Sequence, residues 1–180
     1  MHGQQHEVRA GETSIGWCVY LLRHGSAGER AGWVGDDLAR PLDPEGVEQA
    51  RALAAAFSGS CVSRIVSSPA IRCVQSVEPL AARLSLPIET SRGVGTGAGA
   101  GAARAVIGGL EPGTLICTHR ELFELLFDGA VTCAKGGTWI ARRAGDGLVP
   151  ASYVEPPHDG ALAGARRLAA GEPAPAGGSG

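Results

Sequence analysis

Leu21-Leu22-Arg23-His24-Gly25 is the stretch on which the reading of this 180-residue chain turns. It follows the apolar run Trp17-Cys18-Val19-Tyr20, so a buried strand delivers an Arg-His pair to a glycine turn. A histidine at the end of a parallel strand is held at the rim of the sheet, where open α/β folds place ligands. Neutral imidazole can attack phosphorus, and a neighbouring guanidinium can hold phosphoryl oxygens in a planar fork. The plainer reading of the same residues is a turn-capping His24 and a surface Arg23.

Two more junctions of this kind follow. Ser67-Ser68-Pro69-Ala70-Ile71-Arg72-Cys73 carries the strand Arg64–Ser67 into a helix with an arginine in its first turn. Thr114-Leu115-Ile116-Cys117-Thr118-His119-Arg120-Glu121 is another apolar strand, ending on a histidine where a helix starts. In a parallel sheet such junctions share one edge, so Arg23, His24, Arg72 and His119 converge although far apart in sequence.

These motifs are joined by Arg40-Pro41-Leu42, Gly46 and Gln49-Ala50, and by Ala134-Lys135-Gly136-Gly137-Thr138-Trp139-Ile140. In this order they resemble the histidine phosphatase superfamily, the phosphoglycerate-mutase-like fold, from Trp17 to Glu155. The chain is most similar to short members: the SixA-type phosphohistidine phosphatases and the histidine-phosphatase half of bacterial MutT-like Nudix proteins. The resemblance implies an α/β three-layer sandwich, its mostly parallel central sheet flanked by helices. It also implies a metal-independent phosphatase without cofactors, acting through a phosphohistidine intermediate on a phosphorylated small molecule or phosphoprotein. His24 is then the nucleophile, and Arg23, Arg72 and His119 surround the phosphoryl oxygens, with His119 at a helix N-terminus. Gly25, Ser26, Arg30, Arg40 and Arg120 are expected to bind substrate.

The chain departs from the family's pattern in two places. Phosphomonoester-cleaving members carry an acidic residue after the third strand, but Ser91 to Ala103 holds no carboxylate. Glu89, just before that tract, and Asp36 or Asp37 in the first loop are the candidate acids, each also readable as a plain strand or loop charge. An alkoxide leaving group needs a proton, whereas a phosphate or carboxylate does not, so the gap favours phosphoanhydride or phosphohistidine substrates. The second departure is Arg120, a long cation where members mostly carry a small residue. It can bind a further phosphate, pair with Glu121 or Glu124, or obstruct the site. The alternatives are a phosphoglycerate-mutase-like phosphomonoesterase and a catalytically weak phospho-ligand-binding module.

Composition bounds the rest. The length suits one domain with a real core. A formal net charge of -2 gives no reason to expect a nucleic-acid partner. Lys135 is the only lysine among sixteen basic residues, so arginine content is read as genomic and each arginine is argued from position. The cysteines at 18, 61, 73, 117 and 133 form no Cys-x-x-Cys pair and read as buried free thiols in a reducing cytosol. Neither a signal peptide nor a membrane span is evident, so a cytoplasmic protein is expected.

The predicted layout is a flexible N-terminus (1–15), a domain over 16–156 and a disordered Ala/Gly/Pro-rich tail (157–180). Within the domain, strands are expected at 17–22, 64–67, 86–89 and 114–118, with a late hairpin of 138–142 and 148–154. Asp43-Pro44-Glu45 reads as an N-cap, first-turn proline and first-turn acid opening a helix to Phe57. Val47, Ala50, Leu53, Ala54 and Phe57 are its apolar face. Further helices are expected at 70–84, 102–108 and 121–127. The tract from Ser91 to Gly101 holds too much glycine for stable structure.

Overall fold

The computed structural model describes residues 18–156. The segments 1–15 and 157–180, read above as flexible and disordered, lie outside the described residues, as does Trp17. The first strand forms as β1 (Cys18–Arg23) and pairs in parallel with β4 (Thr114–Thr118). β4 pairs in parallel with β2 (Arg64–Ser67), and β2 with the short edge strand β3 (Ile88–Thr90). On the other side of β1 lies an antiparallel hairpin, β5 (Thr138–Ala144) and β6 (Gly147–Val154). The six-stranded sheet thus has the order β3-β2-β4-β1-β5-β6.

Strand side chains alternate between two faces, and the buried clusters follow that alternation. Tyr20 and Leu22 of β1 pack with Leu115 and Cys117 of β4 and Ile65 of β2. This face is covered by α1 (Pro44–Ala56), through Leu53 and Ala54, and by α2 (Ile71–Leu84), through Cys73, Val77 and Leu80. Val19 and Leu21 point the other way, with Ile116 and Val66. They meet Ala103 and Ile107 of α3 (Ala100–Gly108) and Leu122 and Phe123 of α4 (Arg120–Leu126). Helices on both faces of a mostly parallel sheet give the expected three-layer architecture.

The start of α1 obeys its sequence signal: the Asp43 carboxylate accepts from Gly46 N (2.9 Å), and Pro44 opens the helix. Of its expected apolar face, Ala50, Leu53, Ala54 and Phe57 are buried. Val47 is exposed, while Gly46 and Gln49 are buried against the turn after β1. A Cβ on Gly46 would strike the Ser26 carbonyl, so only glycine lets the helix and turn approach this closely.

The glycine tract departs from expectation. Arg92–Val94 forms a 3-10 turn capped by Ser91, and α3 begins at Ala100 rather than Ala102. Val94 is fully buried, and its carbonyl accepts from the Thr118 hydroxyl (2.6 Å). A Cβ on Gly93 would lie 2.7 Å from a Val106 methyl. Here glycine permits close packing rather than disorder. The thiols are free, but only Cys73, Cys117 and Cys133 are buried; Cys18 is half-buried and Cys61 exposed.

Candidate active site

Because β1, β2 and β4 are parallel, their C-terminal ends share one edge, with Arg23 opposite Thr118 and Ser67 opposite Cys117. The ladder continues one residue further: His24 N donates to Thr118 O (3.0 Å) and Ser68 N to Cys117 O (2.9 Å). That fixes the backbone where the three turns begin. His24, Arg72 and His119 meet there, all nearly buried. Arg72 links them. Its Nε lies 3.4 Å from His24 Nε2, and its Nη2 lies 3.3 Å from His119 Nδ1. The two imidazoles stand edge to face with centroids 5.1 Å apart.

The tautomer of His24 follows from its neighbours. Nδ1 is 2.8 Å from Gly25 O, a carbonyl that can only accept, so Nδ1 carries the hydrogen. Nε2 is left with its lone pair on the side of Arg72. Burial, joined by the neighbouring His119, Arg72 and Arg23, pushes this ring down to about 3 and outweighs the Gly25 hydrogen bond. The imidazole is therefore neutral, the state a nucleophile requires.

Arg23 stands at the end of β1 and donates from Nη1 to Cys133 O (2.7 Å). Its Nε is buried and has no partner among the described residues, a deficit of about 1–3 kcal/mol located beside the site. The loop after β1 supplies an anion. Asp37 bonds to Arg72 through Oδ2 (3.0 Å) and to Arg40 through Oδ1 (2.8 Å), and its backbone oxygen accepts from Arg72 Nη1 (2.6 Å). Partial burial raises its carboxyl, but the Arg40 hydrogen bond and the charges of Arg72, Arg40 and Arg30 hold it below the usual range.

The remaining expected site residues divide. Arg30 and Arg120 line the pocket at its exposed rim; Arg120 Nε lies 3.2 Å from Glu124 Oε1, so it turns along its own helix. Arg40 also lines it, but donates to Asp37, Ala27 O (2.6 Å) and Gly28 O (3.3 Å), and so braces the loop. Gly25 and Ser26 are absent from the lining. Gly25 N donates to Ser76 Oγ, Ser26 N to Gln49 Oε1, and Ser26 Oγ to Asp43, all bonds that dock the turn onto α1 and α2. Asp36 is not at the site either: it caps the turn Asp37–Ala39 by accepting from Leu38 N (2.9 Å). Glu89 forms a two-pronged ion pair with Arg64 (2.9 and 2.6 Å), which holds its carboxyl low. Neither Glu89 nor Asp36 lines the pocket.

The pocket has a volume of about 360 Å³, and its walls also include Glu29, Thr96, Glu121 and Lys135. A larger depression, about 610 Å³, lies between α3, the end of α4 and the β5–β6 turn, and contains none of the converging residues. Among the described residues, no group of three or more His, Cys, Asp or Glu is placed to hold a metal ion, and no helix is long and apolar enough to cross a membrane.

The neutral His24 has a consequence for stability. Above its unfolded value of 6.5 the ring is neutral in both states and contributes no pH dependence. Between 6.5 and about 3 the unfolded chain binds a proton that the folded chain refuses, so stability falls with pH by up to about 1.4 kcal/mol per unit. His24→Asn is expected to flatten this acid limb. Urea unfolding at pH 7.5 and 4.5 checks it; parallel losses in both proteins would contradict a buried neutral ring.

Comparison with known proteins finds similarity over most of the chain. The model of the histidine phosphatase superfamily (branch 1) matches residues 19–95, which contain β1, α1, β2, α2 and β3. The 8-oxo-(d)GTP phosphatase of Mycolicibacterium smegmatis is 31% identical over 157 residues, covering 78% of this chain and 49% of the relative. The chain thus spans about half the length of that curated relative. Among solved structures, the protein histidine phosphatase SixA complexed with tungstate superposes with a TM-score of 0.65 at 21% identity, covering 77% of this chain and 97% of that one. A mycobacterial glucosyl-3-phosphoglycerate phosphatase superposes at 0.60 with 15% identity, over 74% and 96%. With Arg23-His24-Gly25 and Arg72 at one edge of the sheet, residues 19–95 match the histidine phosphatase superfamily (branch 1), the family to which this chain is similar.

Proposed function

We propose that the chain is a phosphatase that works through a phosphohistidine on Nε2 of His24. One observation carries this reading: a neutral imidazole whose lone pair faces a guanidinium, beside a second histidine, in a pocket of phosphate-compatible charge. The Nε2 lone pair attacks phosphorus as the bond to the leaving group breaks, and that group departs with the bonding electrons. Arg72, Arg23 and His119 neutralise the phosphoryl oxygens throughout the transfer. Water then attacks the phosphorus, the P–N bond returns its electrons to Nε2, and orthophosphate leaves. The guanidiniums supply positive charge without a metal ion.

The carboxylates favour one substrate class. Glu89 is consumed by Arg64, Asp36 by its turn, and Asp37 is held in its charged form by Arg40 and Arg72. None of these three is free to protonate a leaving group, which suits leaving groups that need no proton and favours phosphohistidine or a phosphoanhydride, carried by a small molecule or a protein. Arg120 turns to Glu124, which leaves the pocket open and speaks against an obstructed, binding-only module. The relative named an 8-oxo-(d)GTP phosphatase and the histidine phosphatase SixA are compatible with this class.

Acid quenching during turnover of a ³²P-labelled substrate tests the reading. An acid-labile, alkali-stable phosphoryl group on His24 is expected. Turnover with no trapped label, under conditions where hydrolysis of the intermediate is slowed, would remove the covalent route.

A further inference from the structure

His119 is tied at both ring nitrogens. Nδ1 lies 3.3 Å from Arg72 Nη2, and Nε2 lies 2.8 Å from Ser68 Oγ and 3.5 Å from Cys73 Sγ. A guanidinium has only donors, so a hydrogen on Nδ1 would point at an Arg72 N–H. The empty pocket therefore suits a neutral ring with Nδ1 accepting from Arg72 and Nε2–H donating to Ser68. Ser68 Oγ is held for this purpose, because it also accepts from Ala70 N (3.3 Å) at the entry to α2. Ser67 cannot replace it, since its hydroxyl is turned to Ser68 O (2.9 Å).

A phosphoryl group on His24 reverses the polarity that Nδ1 faces. Its oxygens are acceptors, so a lone pair on Nδ1 would oppose them, and the ring can donate there only by gaining a hydrogen. Moving the existing hydrogen across the ring would leave Ser68 without it. We infer that binding of a phosphoryl dianion draws one proton from solvent onto Nδ1 of His119, while Ser68, a positioning residue, keeps the hydrogen on Nε2. The balance is simple: one proton leaves the buffer and one N–H bond forms, and the ring becomes an imidazolium donating to both Ser68 and the phosphoryl oxygen. The inference rests on the proposed function only in that the pocket receives a phosphoryl group.

Other groups face this ring. From α2 come Arg72 and Cys73, with Cys117 of β4 behind the thiol; just after β1, His24 stands edge to face with the ring; Arg23 shares the pocket; Asp37 acts through Arg72. On the ring's own helix stand Arg120, paired with Glu124, and Glu121. Cys73 is the rival proton acceptor, because it touches the same nitrogen as Ser68.

The test uses the full chain and sulfate, which remains a dianion across the neutral range. Titration calorimetry in buffers of different ionisation heat counts protons taken up on binding. Uptake approaching one proton per sulfate is expected on the alkaline side, with affinity weakening about tenfold per pH unit there. The uptake should persist in His24→Asn and Cys73→Ala and vanish in His119→Gln, which still binds sulfate through its arginines. Ser68→Ala should move the linkage to lower pH, and Ser68→Thr should restore it. If Ser68→Ala instead weakens sulfate equally at every pH, its positioning role is overturned. Binding with identical heats in all buffers, or uptake lost in His24→Asn or Cys73→Ala, overturns the assignment to His119. Failure of the wild-type protein to bind sulfate overturns both this inference and the reading of the pocket beneath it.

Discussion

His24→Ala is expected to lower turnover at least ~10³-fold on the best substrate while the fold survives. Removing a nucleophile leaves only what the rest of the pocket can do, because water must then attack phosphorus directly. The arginines and His119 would still bind and neutralise the phosphoryl group, so the loss should fall on kcat more than on KM. Survival of the fold follows from where the ring sits. His24 belongs to neither hydrophobic cluster, and its space opens into the pocket rather than becoming a sealed void. Loss of the ring also removes a buried group that opposes folding at acid pH. Steady-state kinetics beside a thermal melt check both halves. A variant keeping a tenth of wild-type activity with an unchanged melt would remove His24 from the chemistry.

The convergence at the sheet edge was legible because it depends on topology alone. Apolar runs ending in Arg23-His24, Ser67-Ser68 and Thr118-His119 mark strand ends, and parallel pairing brings strand ends together whatever the side chains between them do. Contacts set by loop geometry were not legible. Asp36 and Asp37 are neighbours of the same type, and only the folded turn Asp37–Ala39 decides that Asp36 caps it while Asp37 reaches Arg72. Glu89 presents the same difficulty across strands. Its register partner is Val66, and Arg64, two residues earlier on the same face, reaches it diagonally. Nothing local to Glu89 announces a partner 25 residues away. Ser68 had no distinguishing signal beside Ser67, since the two differ only in which side of the strand end they face. The glycine tract misled for a related reason: the freedom that suggests disorder also allows backbones to approach, and Gly93 against Val106 uses the second property.

Leaving groups provide the second large effect. The values of log kcat/KM are expected to fall steeply as leaving-group pKa rises, provided chemistry limits the rate. A general acid contributes ~10²–10⁴-fold where a poor leaving group needs its proton. Ser91 to Ala103 supplies no carboxylate, Glu89 is bound to Arg64, and Asp37 is bound to Arg40 and Arg72. Alkyl phosphates should therefore react slower than activated aryl phosphates, anhydrides or phosphohistidine by about that factor. Glu89→Gln should change neither class. The pocket's other carboxylates, Glu29 and Glu121, are exposed at its rim and serve as further arms of the same experiment. Rates across a panel of phosphate esters of graded leaving-group pKa give the slope for the wild-type protein and each Gln variant. A shallow slope, together with a Gln variant that slows only the alkyl esters, would identify that residue as the acid. The phosphomonoesterase mechanism would then replace the anhydride and phosphoramidate one, because a proton donor would be reaching the departing oxygen.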